Sequence, residues 1–465
     1  MASKPVQVDF GERQLEIEVP GHAVVVEFQD PPFLPDPIGA TRKALAEPLG
    51  SPPLAALARP GMRVAIAFDN PTRPSLPQQT ILPVVVEQLL EAGVTERDIL
   101  FICANGNHRK WTRVELSAYL GPTIFDRYWP RGQIVNHDCS EPPGLKFLGI
   151  TERGCYVEHN QQFLEADLMI YSGNVSATNW GGYTGMGVVV GLASWRSMRS
   201  HHCYHVVAHP DSCTGDHTTM LYRSLKAEVN AYIEKATGKR IFYIDAVGGV
   251  KGRLAGVFAG YTPEVDTAAW RLAETFNRYP VPQADVLIIG LPARFAYGDS
   301  NNQLIAAVGA LVPPRISVNR PVLREGGVII GLSPCTGWIN PQTYPSYEEV
   351  VDLYRRYHSV VSLSDHEEEF CHRPQYLRQY THGYGYHPIH PFWLFYEIEY
   401  ALNRAAAVIM AGTTNPGTFR SLGIIPAPDF AEAWRLATKF VGKDPVTVVA
   451  PSFWSRRLFK LDVQT

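Results

Sequence analysis

A chain of 465 residues is too long for a single ordinary core, and 45% apolar against 19% charged residues describes a folded, multi-domain globular protein rather than a disordered one. The formal net charge of −3 and the absence of any Lys/Arg-rich tract exclude an extended nucleic-acid surface. Seven cysteines without a CxxC pair argue against a disulfide framework or a cysteine-rich zinc site, and with no apolar signal core and no membrane-length apolar run a soluble cytoplasmic protein is expected.

Residues 6–30 alternate in polarity, as in Leu15-Glu16-Ile17-Glu18-Val19, and predict a small antiparallel ribbon at the start of the chain. A proline-rich connector over 31–37 and helical spacing over 39–58 follow. The apolar run 63–68 has the length of a buried strand. Ile81, Val85 and Leu89 form one helical stripe that Gly93 terminates, and 99–104 is the next buried strand. Such a unit requires a parallel sheet with a right-handed crossover. Residues 167–173 give a third strand of this kind. A helix over about 266–277 precedes a second series of apolar strands at 284–290, 326–331 and 405–412. The predicted architecture is two α/β domains with largely parallel sheets, 1–278 and 279–445. Residues 446–465 are read as returning to complete the first domain.

Polar blocks follow three of these strands: Asp69-Asn70-Pro71-Thr72-Arg73-Pro74, Ala104-Asn105-Gly106-Asn107-His108-Arg109, and a glycine-rich run over 172–187. Ligands of open α/β sheets bind at the carboxyl ends of strands. His108, in a glycine-containing loop, is placed to exchange protons, since imidazole titrates near neutrality. Arg73 suits a carboxylate or phosphate, or else forms a structural pair with Asp69. The glycine-rich run fits a nest of N–H groups for an anion or a tightly turned loop. It is neither a GxGxxG fingerprint nor a P-loop. No lysine lies between Lys146 and Lys226 or between Lys251 and Lys439, so those stretches offer no lysine anchor or clamp. His201, His202, His205 and His209, with His217 nearby, suggest a metal site or a histidine-rich loop. His372, His382, His387 and His390 lie among Tyr384, Tyr386, Trp393 and Tyr396, a mixture that lines a pocket or packs an interface.

Taken in order, these blocks resemble the lactate racemase family that uses a nickel-pincer nucleotide, over nearly the whole chain. The resemblance includes Gly191-Leu192-Ala193-Ser194 leading to His202, Gly256-Val257-Phe258-Ala259-Gly260 and Ala284-Asp285-Val286-Leu287-Ile288. It implies a site in the interdomain cleft and a pyridinium mononucleotide whose two thio-acid arms and a ring carbon hold nickel. The chemistry it implies is reversible hydride transfer from a 2-hydroxy acid, coupled to loss of its hydroxyl proton. By the resemblance, His108 is one acid/base histidine and His202 the nickel ligand, with His201 the fallback. Asp69 and Arg73 meet the substrate and support the site. Gln303 contacts the substrate, and Thr72, Ser176, Thr178, Gly182 and Gly185 contact the cofactor.

Three departures stand out. Met186, Gly187 and Val188 occupy the neighbourhood of the lysine that tethers the cofactor in the characterised enzyme, so a noncovalent cofactor is expected. No histidine lies between His159 and His201, so a second acid/base group must come from elsewhere, with the His382–His390 segment as candidate. Ala306 or Ala307 replaces the lysine that would grip the substrate carboxylate, a task left to Arg73 or Arg294. The expected substrate is therefore a larger hydroxy acid, such as a sugar acid or an aryl hydroxy acid. The alternatives are a metal-dependent hydrolase built on the His201–His209 cluster and a cofactor-binding protein without catalysis.

Overall fold

The computed structural model describes residues 2–72, 77–213, 225–248, 253–455 and 458–464. Two sheets organise them. The first has six strands in the order Leu254–Gly260, Ile241–Gly248, Leu168–Val175, Val64–Asp69, Ile99–Ala104 and Ile134–Asn136. All pairs are parallel except the one between Ile241–Gly248 and Leu254–Gly260. Numbered within this sheet by chain order, the strands run 6-5-4-1-2-3. This is the doubly wound arrangement, with its topological switch point between Val64–Asp69 and Leu168–Val175. The apolar runs read from the sequence are these strands, and every residue of Leu168–Val175 is buried. Ile81, Val85 and Leu89 are fully buried on the helix Gln78–Glu91, and Gly93 takes a positive φ of 88° just past its end.

The second sheet has Ile425–Ala427, Ala407–Ala411, Leu323–Leu332 and Ala284–Pro292 in parallel order, with Thr447–Ala450 also parallel to Ala284–Pro292. Two sequence expectations are corrected here. The opening ribbon, Ser3–Gly11 paired antiparallel with Arg13–Pro20, joins this second sheet through Phe10 and Gly11 opposite Leu291 and Pro292. Thr447–Ala450 likewise belongs to the second sheet rather than returning to the first. Alternation identifies a strand but not its neighbour, and both neighbours are remote in sequence. The helix expected over 39–58 is two, Pro37–Ala46 and Leu54–Leu57, broken at Pro52-Pro53.

The largest apolar cluster joins the two halves. It contains Val175, Trp195 and Met198 together with Leu291, Leu304 and Trp393. No helix among the described residues is long and apolar enough to cross a membrane.

Candidate functional site

The switch point is where the site assembles. Asp69, at the end of its strand, accepts from the Tyr171 hydroxyl at 2.6 Å and from the Asn174 N–H at 2.8 Å. One carboxylate thus ties together the carboxyl ends of the two switch-point strands. Beside it, Asn70 Oδ1 accepts from the N–H and hydroxyl of Thr72, at 3.1 and 2.6 Å. Its Nδ2 donates to the Ala104 carbonyl at 3.0 Å and to His108 Nδ1 at 3.3 Å. These partners fix which end of the Asn70 amide carries hydrogens. His108 Nδ1 must then accept, and the proton of a neutral His108 sits on Nε2.

Beyond the next strand end, Gly106 has a φ of +55°, and a Cβ there would lie 3.1 Å from the Val190 carbonyl. That turn carries His108 to the boundary with the second half of the chain. Its ring meets His390 edge to face at 5.3 Å, and Tyr297 and Tyr386 at 5.9 and 5.8 Å. His390 begins the helix His390–Arg404 and is 3% exposed. Its Nδ1 pairs with the Tyr347 hydroxyl. Burial, then the neighbouring His108, holds the His390 imidazole well below its usual pKa, so at neutral pH it is uncharged.

The glycine-rich run is a laced hairpin rather than an open nest. Ala177 bridges Tyr183, the Thr184 N–H donates to Ser176 O at 2.8 Å, and the Thr178 N–H donates to Gly182 O at 3.2 Å. Close approach explains two of its glycines. A Cβ at Gly187 would fall 2.2 Å from the Tyr171 ring, and one at Gly185 2.2 Å from Asp266 Oδ1. Arg315, fully buried, donates to the carbonyls of Asn179, Tyr396, Glu397, Val207 and Ser212. It therefore clamps this hairpin to the helix His390–Arg404 and to the segment that follows His202.

His202 closes the helix Trp195–His202. It lies between the rings of Trp180 and Trp393, at 4.5 and 5.3 Å, and its Nδ1 is 2.7 Å from His201 Nδ1. Its Nε2 is buried without a hydrogen-bond partner among the described residues. Burial, then the charge of Lys226, pushes this imidazole down to about 3. A neutral imidazole with an unpartnered buried nitrogen is the form that binds a transition metal. The rest of the sequence cluster does not converge, because His205 and His209 are exposed while His201 and His202 are buried. His217 lies outside the described residues. Among the described residues, no group of three or more His, Cys, Asp or Glu side chains is placed to hold a metal ion.

Two adjoining chambers result. The inner cavity, of about 120 Å³, is lined by Asp69, His108, Thr178, Gly185, His202 and His390 among others. The outer one, of about 1090 Å³, is lined by Thr72, Ser176 and Arg294, with Arg109, Tyr384 and Tyr386. Ala296, Tyr297, Trp454 and Leu458 face both. The predicted site residues thus sort into an inner group carrying imidazoles and an outer group carrying guanidinium and hydroxyl groups. The Ser176 hydroxyl oxygen is buried with no partner among the described residues. Gly182 lines neither chamber. Gln303 starts the helix Gln303–Leu311 and also lines neither, and Ala306 and Ala307 are fully buried on that helix. The expected carboxylate-gripping position is therefore core. Arg73 lies outside the described residues.

Sequence reasoning did not find Lys226, Asn70, Glu397 or Asp245 as site residues. Lys226, 7% exposed, reaches the inner cavity and donates to the Gly185 carbonyl at 2.8 Å. A lysine thus meets the glycine-rich run in space from a residue 41 positions beyond Gly185. Glu397 accepts from Asn179 Nδ2 at 3.0 Å, and burial pushes its carboxyl up to about 7. Only Asn70, inside a block already singled out, had a sequence signal.

Fold and site together define an α/β protein in which three imidazoles, His108, His202 and His390, line one cavity beside the switch point. Residues 10–215 match the lactate racemase N-terminal domain family. Over 419 residues the chain is 20% identical to a lactate racemase of Thermoanaerobacterium thermosaccharolyticum, covering 88% of each chain. It is 26% identical over 248 residues to a lactate racemase of Lactiplantibacillus plantarum, covering 53% of this chain and 56% of that one. The lactate racemase apoprotein structure from T. thermosaccharolyticum superposes with a TM-score of 0.71 at 18% identity, over 96% of this chain and 98% of that one. A crystal structure of a Thermotoga maritima protein matches with a TM-score of 0.56 at 14% identity, over 94% of this chain and all of the other. The chain thus matches the lactate racemase N-terminal domain family over residues 10–215 and shares the fold of a lactate racemase over nearly its whole length.

Proposed function

We propose that this protein racemises or epimerises a 2-hydroxy acid, using a nickel-pincer nucleotide held without a covalent tether. The observation that carries the reading is one inner cavity shared by His108, His390 and the buried, unpartnered Nε2 of His202. His202 would ligate the nickel. Thr178 and Gly185 would lie along the nucleotide, with Ser176 and Thr72 toward its outer end. When bound, the group supplies a reversible acceptor for the hydride at C2 of the substrate.

The chain's own residues handle the hydroxyl proton. Asn70 keeps the His108 proton on Nε2, so neutral His108 offers an N–H to the substrate oxygen. His390 can pass its Nδ1 proton toward the Tyr347 oxygen and present a lone pair at Nε2. His390 is then the base that removes the hydroxyl proton and returns it, and His108 is the donor that steadies the oxygen as its charge changes. Asp69, with both oxygens bonded, positions the strand ends. Arg294 and Arg73 are the cations proposed for the substrate carboxylate. The outer chamber, with Tyr384, Tyr386 and Arg109, suits a hydroxy acid larger than lactate.

The hydrolase alternative is disfavoured by the dispersal of His201, His202, His205 and His209 between core and surface. The decisive experiment loads the protein with nickel in cells that make the cofactor and follows enantiomer interconversion by chiral chromatography across a panel of aliphatic, aryl and sugar 2-hydroxy acids. Interconversion of at least one larger acid is expected. A nickel-loaded protein that interconverts none overturns the reading and leaves the noncatalytic cofactor-binding alternative.

A further inference from the structure

We infer that Lys226 is the cation that holds an anionic ring arm of the bound pyridinium nucleotide, reaching it from behind the glycine-rich hairpin. The inference rests on the nickel-pincer reading above. Three observations support it.

First, among the described residues that line the inner cavity, Lys226 is the only lysine or arginine. Among those residues, Lys226 is the cation that an acidic group carried into the cavity would meet. Second, Lys226 is on the metal side. It shares the cavity wall with His202, and its positive charge is felt at both His201 and His202. Arms chelating a nickel held by His202 would meet the same field. Third, the ammonium is held in place. The helix Ala227–Thr237 starts at the next residue, the side chain is 7% exposed, and Nζ donates to Gly185 O at 2.8 Å.

The carboxyls around this wall differ in charge. Asp69 has both oxygens bonded to Tyr171 and Asn174. Asp245 is pushed well above the carboxylate range by burial and by Asp266, and Asp266 itself rises to about 6. A carboxyl that holds its proton, as Asp245 does, adds no negative charge beside the ammonium, whereas Asp266 is mostly ionised at neutral pH. A lysine fits better than an arginine here, because a compact point charge can sit against a hairpin carbonyl and still address an anion beside it.

The test uses holoprotein made in cells that produce the cofactor, as wild type, Lys226→Met and Lys226→Arg. Nickel and nucleotide per chain are followed by metal analysis and mass spectrometry during dialysis, with melting temperature as the folding control. The wild type is expected to retain nickel and nucleotide together and to show an unmodified mass after denaturation. Lys226→Met should lose nickel about tenfold faster or more, and Lys226→Arg about three- to tenfold faster, as for a lost or displaced charge-assisted contact. A folded Lys226→Met that keeps nickel as long as the wild type overturns the inference alone. If Lys226→Met does not fold, an unchanged loss rate in Lys226→Arg overturns it equally. Added mass on the Lys226 peptide of the denatured wild type replaces the ionic contact with a covalent one and also overturns it. A wild type that carries neither nickel nor nucleotide brings down the underlying reading and the inference with it.

Discussion

His108 and His390 meet edge to face, with ring centroids 5.3 Å apart, one from a loop of the first sheet and the other from the first turn of a helix in the second half of the chain. Tyr297 and Tyr386 pack against both rings. Their hydrogen bonds differ, and so should their roles. His390→Asn is expected to lower kcat by about 10²–10⁴-fold, the range of a lost general base. His108→Phe should cost about 10²–10³-fold, as for a lost oxyanion donor, and His108→Asn, which keeps an N–H, distinctly less. Steady-state rates on the best substrate from the hydroxy-acid panel check the order. Equal losses for His390→Asn and His108→Asn would refute the division of labour.

Asn70 sets the tautomer of His108, and this can be read without turnover. In Asn70→Asp the new carboxylate accepts where the amide donated, so His108 should move its proton to Nδ1. Imidazole ¹⁵N shifts at neutral pH should show a pyridine-type Nδ1 in the wild type and a pyrrole-type Nδ1 in the variant. The same pattern in both proteins would show that Asn70 does not control the ring.

His387 gives a stability prediction with a definite sign. It is fully buried, its Nε2 lies 2.7 Å from Ser140 Oγ, and burial pushes its pKa down to about 3. The unfolded chain binds this proton near pH 6.5 and the folded chain does not. Folding stability is therefore intact above about pH 6.5 and is lost as pH falls toward 3, by up to about 1.4 kcal/mol per pH unit from this one group. His387→Gln removes that liability. Urea unfolding at pH 7, 6 and 5 should show the gap between wild type and variant shifting in the variant's favour at each step down. A pH-independent gap would mean that the folded protein takes up the proton at this site.

The strands of both sheets were legible because parallel strands buried on two faces read as continuous apolar runs, as in Val64–Asp69 and Ala284–Pro292. Their partners were not. Ser3–Gly11 meets Ala284–Pro292 through only two residue pairs, and nothing in an alternating ribbon names so distant a neighbour. The site shows the same division. Asp69, His108 and His202 announce themselves at strand and helix ends. Lys226 and His390 enter the cavity from remote segments, and only the fold brings them in. Gln303 fitted the resemblance, yet it lines neither chamber.

Arg315 joins segments that touch nowhere in sequence, and its loss should be felt throughout the cavity. Its fully buried guanidinium serves five backbone carbonyls, and its charge also lowers the Glu397 pKa against the larger effect of burial. Arg315→Met leaves those acceptors without donors. It should lower the unfolding free energy by roughly 3–5 kcal/mol, the range for breaking a buried charged network. Chemical denaturation measures it, and a loss below about 1 kcal/mol would show that the carbonyls find other donors.

Arg294 tests where substrate selectivity resides. It lies on the short ribbon Arg294–Phe295 and Gly298–Asp299 and lines the outer chamber, which shares Tyr297 with the inner one. A cation that only holds the carboxylate contributes equally to the ground state and the transition state. Its removal should therefore raise KM and leave kcat nearly unchanged. Arg294→Ala is expected to raise KM for a larger hydroxy acid by about tenfold, one charge-assisted hydrogen bond, with kcat within about twofold. Arg294→Lys should recover only part, since an ammonium keeps the charge but not the two-pronged fit to a carboxylate. A fall in kcat at constant KM would instead place this guanidinium against the reacting atoms and move the carboxylate's partner elsewhere.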